Sequence, residues 1–259
     1  MNDALYIAAT GMQAQQTQLN VIANNVANVN TAGFKRSSVN FHDLVHTQAA
    51  AALTADNELA RAGALTGAGV AIGTVSKQFA AGDLKQTGSA MDVAIQGNGF
   101  IEVLLGDGST GYSRGGTLHV NADNLLATAE GYVLKQRIQI PTDARGFSVG
   151  SDGHVTATDG KLRDWSLGRI DLVTFANPSA LSAMGDNVYR APPQAGDALV
   201  ATPGEGGAGR LMQGQLEASN VKLIDEMVQL MVAQRAYEMN VKVIQAADEV
   251  ASLTNNLRK

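Results

Sequence analysis

The chain has 259 residues, 45% of them apolar, enough to build one or two folded domains and too apolar for a disordered chain. It has no cysteine, which removes disulfides, cysteine-ligated zinc and thiol catalysis. A net charge of -5, with 17% charged residues and no basic run, argues against nucleic-acid binding, which needs a clustered cationic surface. No apolar run reaches the roughly 18 residues of a membrane-spanning helix. The first Lys or Arg is Lys35, so the N-terminus lacks the basic start of a secretory signal peptide.

The placement of Gly and Pro divides the chain. Only Gly11 and Gly33 precede Gly63, no Gly or Pro follows Gly214, and all five prolines lie between Pro141 and Pro203. Both residues interrupt helices, so the ends are expected to be helical and the middle rich in turns. In the N-terminal segment, Leu5, Ala8, Met12, Gln15, Leu19, Ile22, Val26 and Val29 alternate in steps of three and four. This is a heptad seam broken only by Gln15. Asn2 or Asp3 can cap its start, and Gly33 can take the left-handed conformation that stops a helix. The expected helix is about 28 residues and about 42 Å long.

The stretch from His46 to Gly69, rich in Ala, Gly and Thr, reads as an extended or flexible connector. From Val70 to Gly214 short apolar or alternating runs end in turn dipeptides, the pattern of a largely antiparallel β domain. Such runs are Met91–Ile95, Phe100–Leu105, Phe147–Val149, Val155–Thr158 and Ile170–Phe175. The C-terminal segment, with Asn220 as N-cap, reads as a helix to about Leu257, with Asp225 and Glu226 early and Arg258 and Lys259 late, as the helix dipole prefers. One seam is Leu223, Met227, Leu230, Gln234, Tyr237, Val241 and Ile244; a second face carries Ile224, Val228, Met231, Val243, Ala246, Val250 and Leu253. Two apolar faces call for partners on two sides. The N-terminal helix can cover one; the middle domain or other subunits are candidates for the other. The alternative is a helix hairpin forming the core of a lone monomer. The expected divisions are 1–38 and 215–259 as the two helical parts of one core domain, 39–69 as connector, and 70–214 as β body. The fold class is α+β, with the terminal helices paired as a coiled coil.

Catalytic patterns are weak. Gly146-Phe147-Ser148-Val149-Gly150 matches a nucleophile elbow, but that needs a strand-to-helix turn, and His154 follows too soon after Ser148, so a β-hairpin accounts for it better. Gly106, Gly108 and Gly111, and again Gly204, Gly206 and Gly209, fit a dinucleotide fingerprint without opening a helix. His42 and His46, four apart, could share a metal on a helix, but no third ligand is evident. No carboxylate pair and no aromatic platform stands out. No cofactor, metal or catalytic residue is expected.

Ala23-Asn24-Asn25-Val26-Ala27-Asn28-Val29-Asn30-Thr31-Ala32-Gly33-Phe34-Lys35-Arg36 resembles the N-terminal signature of the flagellar axial proteins of rod and hook, with Val26 where Leu is frequent. Ser219-Asn220-Val221, Glu226-Met227-Val228 and Gln234-Arg235-Ala236-Tyr237-Glu238 with Asn240 resemble the C-terminal signature. Asp92 to Phe100 and Tyr112-Ser113-Arg114 resemble the body of the rod proteins; Ile101 replaces a usual second Phe, and Asn124 stands where a turn Gly is common. The resemblance covers nearly the whole chain. Length and the His46–Gly69 insertion point to a long rod subunit, the distal (G-type) first and the proximal F-type second.

The resemblance implies a structural subunit without enzymatic activity. Its terminal helices would pack into the inner tube of a helical polymer, a drive shaft between motor and hook, with the β body outside. The implied assembly interface is Leu5, Met12, Leu19, Ile22, Asn24, Asn25, Val26, Asn28, Val29, Leu223, Met227, Leu230, Met231, Tyr237, Val241 and Ile244. Asn24, Asn25 and Asn28 would bond across subunits or to backbone, with helix-end capping the alternative for Asn28. Implied partners are further copies of the chain, proximal rod subunits, hook protein, the P-ring and L-ring proteins and the flagellar type III export apparatus; nucleic acid is not among them. The implied location is the basal-body rod spanning the periplasm, reached by export without a cleaved signal peptide. Phe41 with Val45 resembles the short export element, or is a buried apolar pair. The connector would bridge adjacent subunits and stiffen the rod. Outside the family, the chain would be a soluble β-domain enzyme or binding module that dimerises through its helices.

Overall fold

A computed structural model describes residues 2–47, 65–159 and 164–256. The chain forms two compact units. The helical unit comprises Met1–Val26, Ser37–Ser76 and Lys222–Lys259; the body unit comprises Ala27–Arg36 and Lys77–Val221. The fold is α+β, with one helix near each end and a large antiparallel sheet in the middle. The boundary expected at 69/70 falls inside a strand.

The helical unit contains α1 (Asn2–Ala27), β1 (Ser37–Thr47), β2 (Leu65–Lys77) and α2 (Leu223–Asn256). β1 and β2 form a two-stranded sheet that takes in both ends of the expected connector; residues 48–64 lie outside the described residues. The alternation Val39-Asn40-Phe41-His42 and the glycine-spaced Val70 to Val75 favour strand over coil, because β-branched and aromatic side chains suit a pleated surface. His42 and His46 lie on a strand, about 13 Å apart along its backbone, and not one turn apart on a helix.

The body unit contains β3 (Leu84–Gln86), β4 (Asp92–Gln96), β5 (Phe100–Leu104), β6 (Thr110–Ser113), β7 (Gly115–Val120), β8 (Leu126–Thr128) and β9 (Val133–Leu134). It continues with β10 (Ala144–Val149), β11 (His154–Asp159), β12 (Asp164–Arg169), β13 (Leu172–Thr174), β14 (Ser182–Gly185), β15 (Val188–Arg190), β16 (Leu199–Ala201), β17 (Arg210–Gln213) and β18 (Gln215–Glu217). The main sheet runs β14-β15-β6-β5-β9-β8-β7-β4-β17, with β13 branching from β5 and carrying β16. β10, β11 and β12 form a separate antiparallel sheet, and β18 pairs with β3.

β5 explains how one sheet holds two cores. Successive side chains point to opposite faces, and both faces of Phe100-Ile101-Glu102-Val103 are buried. Phe100 joins an aromatic cluster with Phe79, Tyr112, Phe175 and Tyr189, in which Tyr112 and Phe175 meet edge to face at 4.8 Å. Ile101 joins an aliphatic core with Val93, Ile95, Leu126, Leu134, Leu172 and Leu211. A second Phe at 101 would meet this aliphatic side. Asn124 has φ 59°, which accounts for its standing where glycine is common, since Asn tolerates the left-handed region.

Ser148 lies mid-strand in the β10–β11 hairpin, opposite Thr156, and His154 opens β11. This is not a strand-to-helix elbow, as the hairpin reading expects. Gly106 and Gly108 form the β5–β6 turn, where the Gly108 N–H donates to the Leu105 carbonyl at 2.9 Å. Gly204 and Gly209 close a loop through the Gly204 N–H and the Gly209 carbonyl at 2.7 Å.

Candidate assembly surface

In the helical unit, α1 and α2 touch through small and polar residues. The Asn25 amide donates to Glu226 Oε2 at 3.2 Å, and a Cβ built on Gly11 would come within 2.9 Å of Asn240 Nδ2. The two contacts are fourteen residues apart on each helix and run in opposite directions, so the helices are antiparallel over about 21 Å. On α2 this contact line, Glu226, Ala233 and Asn240, steps by seven; Glu226 and Ala233 are fully buried.

This line differs from the expected seams. The seam residues Met12 and Val26 follow Gly11 and Asn25 by one position, and Met227, Gln234 and Val241 follow Glu226, Ala233 and Asn240 by one. One residue is about 100° of helix rotation, so Met12, Val26, Met227, Gln234 and Val241 flank the contact, whereas the seam residues Ala8 and Ile22 are buried. Glycine and alanine let the helices approach closely, and the Asn25–Glu226 bond holds their register.

The consequences are visible residue by residue. Ile22 and Asn25 are buried; Leu5, Met12, Leu19, Val26, Asn28, Val29, Leu230, Val241 and Ile244 are half-buried; Asn24, Leu223, Met227, Met231 and Tyr237 are exposed. Opposite the contact line, Ile224, Val228, Met231 and Val232 form an apolar stripe on which Ile224 is 77% and Val232 63% exposed. The expected second face is therefore open in the single chain. Full burial of such a side chain is worth about 1.5–3 kcal/mol.

The β1–β2 hairpin follows α1. The Asn25 side chain donates to the Ser37 carbonyl and accepts from the Ser37 N–H, both at 2.9 Å, fixing the start of β1. Gly69, at φ 114°, lies against Thr10, whose hydroxyl accepts from the Val70 N–H at 3.4 Å. Asn25 thus bonds to backbone and to α2 within its own chain. Asn28 is a helix-end residue, its Oδ1 accepting from the Thr31 hydroxyl at 3.1 Å. Phe41 and Val45 lie on one face of β1 and are both exposed, which does not fit a buried apolar pair.

Gly33 has the left-handed φ of 72°, but α1 ends six residues earlier, at Ala27. The N–H of Gly33 donates to the Glu217 carbonyl at 2.7 Å, so its conformation serves docking in the body unit rather than stopping the helix. Asn220 is likewise not engaged as a simple cap. Its Oδ1 accepts from the Arg36 N–H at 2.8 Å, and its Nδ2 donates to the carbonyls of Gln78 and Ala80.

Around these residues the body unit buries three charges. Lys35 Nζ donates to Glu217 Oε1 at 2.7 Å and to the Ala80 carbonyl at 2.8 Å. Arg114 Nε and Nη2 reach Glu217 Oε2 at 3.2 and 3.1 Å, and Nη1 reaches the carbonyls of Gly97 and Gly99. The Gly82 N–H completes Oε1 at 2.9 Å. Burial pulls the Lys35 amine below its usual range, against the opposing pull of Glu217. No side-chain partner was expected for Lys35, Arg114 or Glu217 from the sequence, and Glu226 was expected only as an early acid of the C-terminal helix. The available signal was a charge set among glycines and aromatics in a chain with few charges, as in Gly33-Phe34-Lys35 and Ser113-Arg114-Gly115.

Among the described residues no cluster of three metal-ligating side chains exists, and no helix is long and apolar enough to cross a membrane. Three family models match in chain order: the flagella basal body rod protein model at residues 5–35, the flagellar hook protein FlgE/F/G D1 domain at 94–157, and the flagellar basal body rod FlgEFG protein C-terminal model at 212–257. The flagellar basal-body rod protein FlgG of Agrobacterium fabrum is 43% identical over 97% of this chain and 98% of its own. The chain belongs to the FlgG family of flagellar basal-body rod proteins. FlgG of Bacillus subtilis is 40% identical over 99% of both chains, and FlgG of Borreliella burgdorferi 38% over all of both. FlgG proteins are structural rod subunits, not enzymes, and the G-type is the subunit type expected from the length and the insertion. The N- and C-terminal rod-protein models cover most of α1 and all of α2, the helices that carry the open stripe and the half-buried seam.

Proposed function

We propose that this chain polymerises with copies of itself into the distal rod, a helical tube that carries torque from motor to hook across the periplasm. The observation that carries this reading is the outward apolar stripe of α2, beside the half-open seam of α1, in a chain of the rod family. A stripe on one face and a seam on another make a head-to-tail contact that does not close, and repeated contacts of this kind give a filament. The two terminal helices of each copy would pair as a coiled coil, and their open faces would then pack against neighbouring copies. The partners are other copies first, then proximal rod subunits, hook protein and the P-ring and L-ring proteins around the shaft. The connector would bridge adjacent subunits and stiffen the rod, so shortening residues 47–62 should alter rod rigidity.

Export by the flagellar type III apparatus would read Phe41 and Val45, which the fold leaves accessible on β1.

The test is Val228→Glu with Met231→Glu, expressed in cells that lack the native subunit. Both positions are exposed, so the variant folds and is exported, but distal rods and motility are lost. Rods of normal length and number from this variant would overturn the reading.

A further inference from the structure

Three segments of the body unit meet at one carboxylate. Residues 33–36 lead from α1 into β1, residues 78–83 follow β2, and residues 217–220 precede α2. Glu217 bonds to the first through its own carbonyl and through Lys35, and to the second through the Gly82 N–H. Lys35 is completely buried and Glu217 nearly so. An ammonium group withdrawn from water needs a fixed counter-charge, and removing one partner of a buried ion pair is far more disruptive than replacing both with apolar groups.

We propose that Glu217 is the key that allows residues 33–36 to dock on the body unit. Without it, docking would bury the Lys35 charge against the Ala80 carbonyl and the like charge of Arg114, so the segment stays off. The dependence runs through the charge of Lys35 and not through packing. Lys35 and Glu217 are 182 residues apart in the chain. Any process that delivers the chain from its N-terminus therefore supplies the lysine early and the key near the end. The docked geometry of the segment beside α1 is thereby withheld until the residues leading into α2 are present. Synthesis has this polarity as well as export, so the inference does not depend on the export reading.

Amide hydrogen exchange on the purified full-length chain tests it. The reporters are the N–H groups of Gly33 and Arg36, bonded to Glu217 and Asn220; the amides of the β10–β11 pair are the control. In Glu217→Gln the reporters should exchange about 100-fold faster or more, while the control amides keep their protection. Lys35→Met should leave the reporters protected, since Glu217 keeps Arg114. Lys35→Met combined with Glu217→Gln should restore protection lost in Glu217→Gln, since Arg114 keeps the carbonyls of Gly97 and Gly99 and no longer faces a second buried cation. Unchanged reporters in Glu217→Gln would overturn the proposal, and so would a double variant that stays unprotected. If Glu217→Gln does not fold, the double variant decides alone: folding with protected reporters supports the proposal, and failure to fold overturns it.

Discussion

Asn25 illustrates how much a single side chain can hold in this protein. It is buried, and it satisfies the N–H and carbonyl of Ser37 and an oxygen of Glu226 at once. Asn25→Ala leaves two buried backbone groups without partners, so the helical unit should lose about 2–3 kcal/mol, read as lower protection of the β1 amides. Asn25→Asp should be worse, because it sets a second carboxylate against Glu226. In the body unit, burial raises the Tyr189 phenol to about 12. The folded state then holds a proton that the unfolded chain releases near pH 10. This contribution is fully present below pH 10 and is lost as pH rises toward 12. Relative to Tyr189→Phe, the protein should lose about 2–3 kcal/mol across that window, measured by denaturant unfolding. Of the residues that hold the fold together, Asn25 stood in a recognisable signature, but its partners did not follow from spacing. Glu217 carried no sequence signal of its own: its ligands come from residues far apart in the chain, and only the sheet brings them together.

At the level of elements, the heptads of α1 and α2 were readable because steps of three and four apply whatever the helix meets. Which of two adjacent stripes meets the partner helix was not readable. The decision rests on a glycine, an alanine and one polar bond, features that a hydrophobic pattern scores as interruptions. The strands of the body were legible from turn dipeptides, whereas β2 was not, because its Ala, Gly and Thr composition resembles a linker, and β1 ran on into that same stretch without a turn signal. Two variants separate the faces. Gly69→Ala introduces a methyl group against Thr10 at a backbone angle that side chains rarely adopt, so the hairpin should loosen from α1. Faster exchange at Val70, with α2 unaffected, is the expected result. Met231→Glu, on the open stripe, should change the unfolding free energy of the single chain by no more than about 0.5 kcal/mol while preventing polymerisation, measured by sedimentation.

On the scale of the whole molecule, the proposed assembly would draw on residues that folding leaves at the surface. The single chain satisfies its polar junctions internally and leaves apolar side chains of α2 to the solvent. Phe41→Ala tests a third requirement, export: the side chain is exposed, so the purified variant should keep its stability while secretion into the growing structure is lost. Normal secretion of that variant would remove Phe41 from the export element. The Glu217 cluster carries one more consequence. The Gln78 N–H donates to the Arg36 carbonyl at 2.8 Å, and the Arg36 N–H donates to Asn220, so the points where the chain enters and leaves the body unit are neighbours. A segment whose ends lie side by side can be lengthened, shortened or exchanged without moving the ends. The body is in this sense a cassette: loops and strands between residues 83 and 217 can diversify, provided that Arg114 and the lysine, the glutamate and the asparagine at its base are retained.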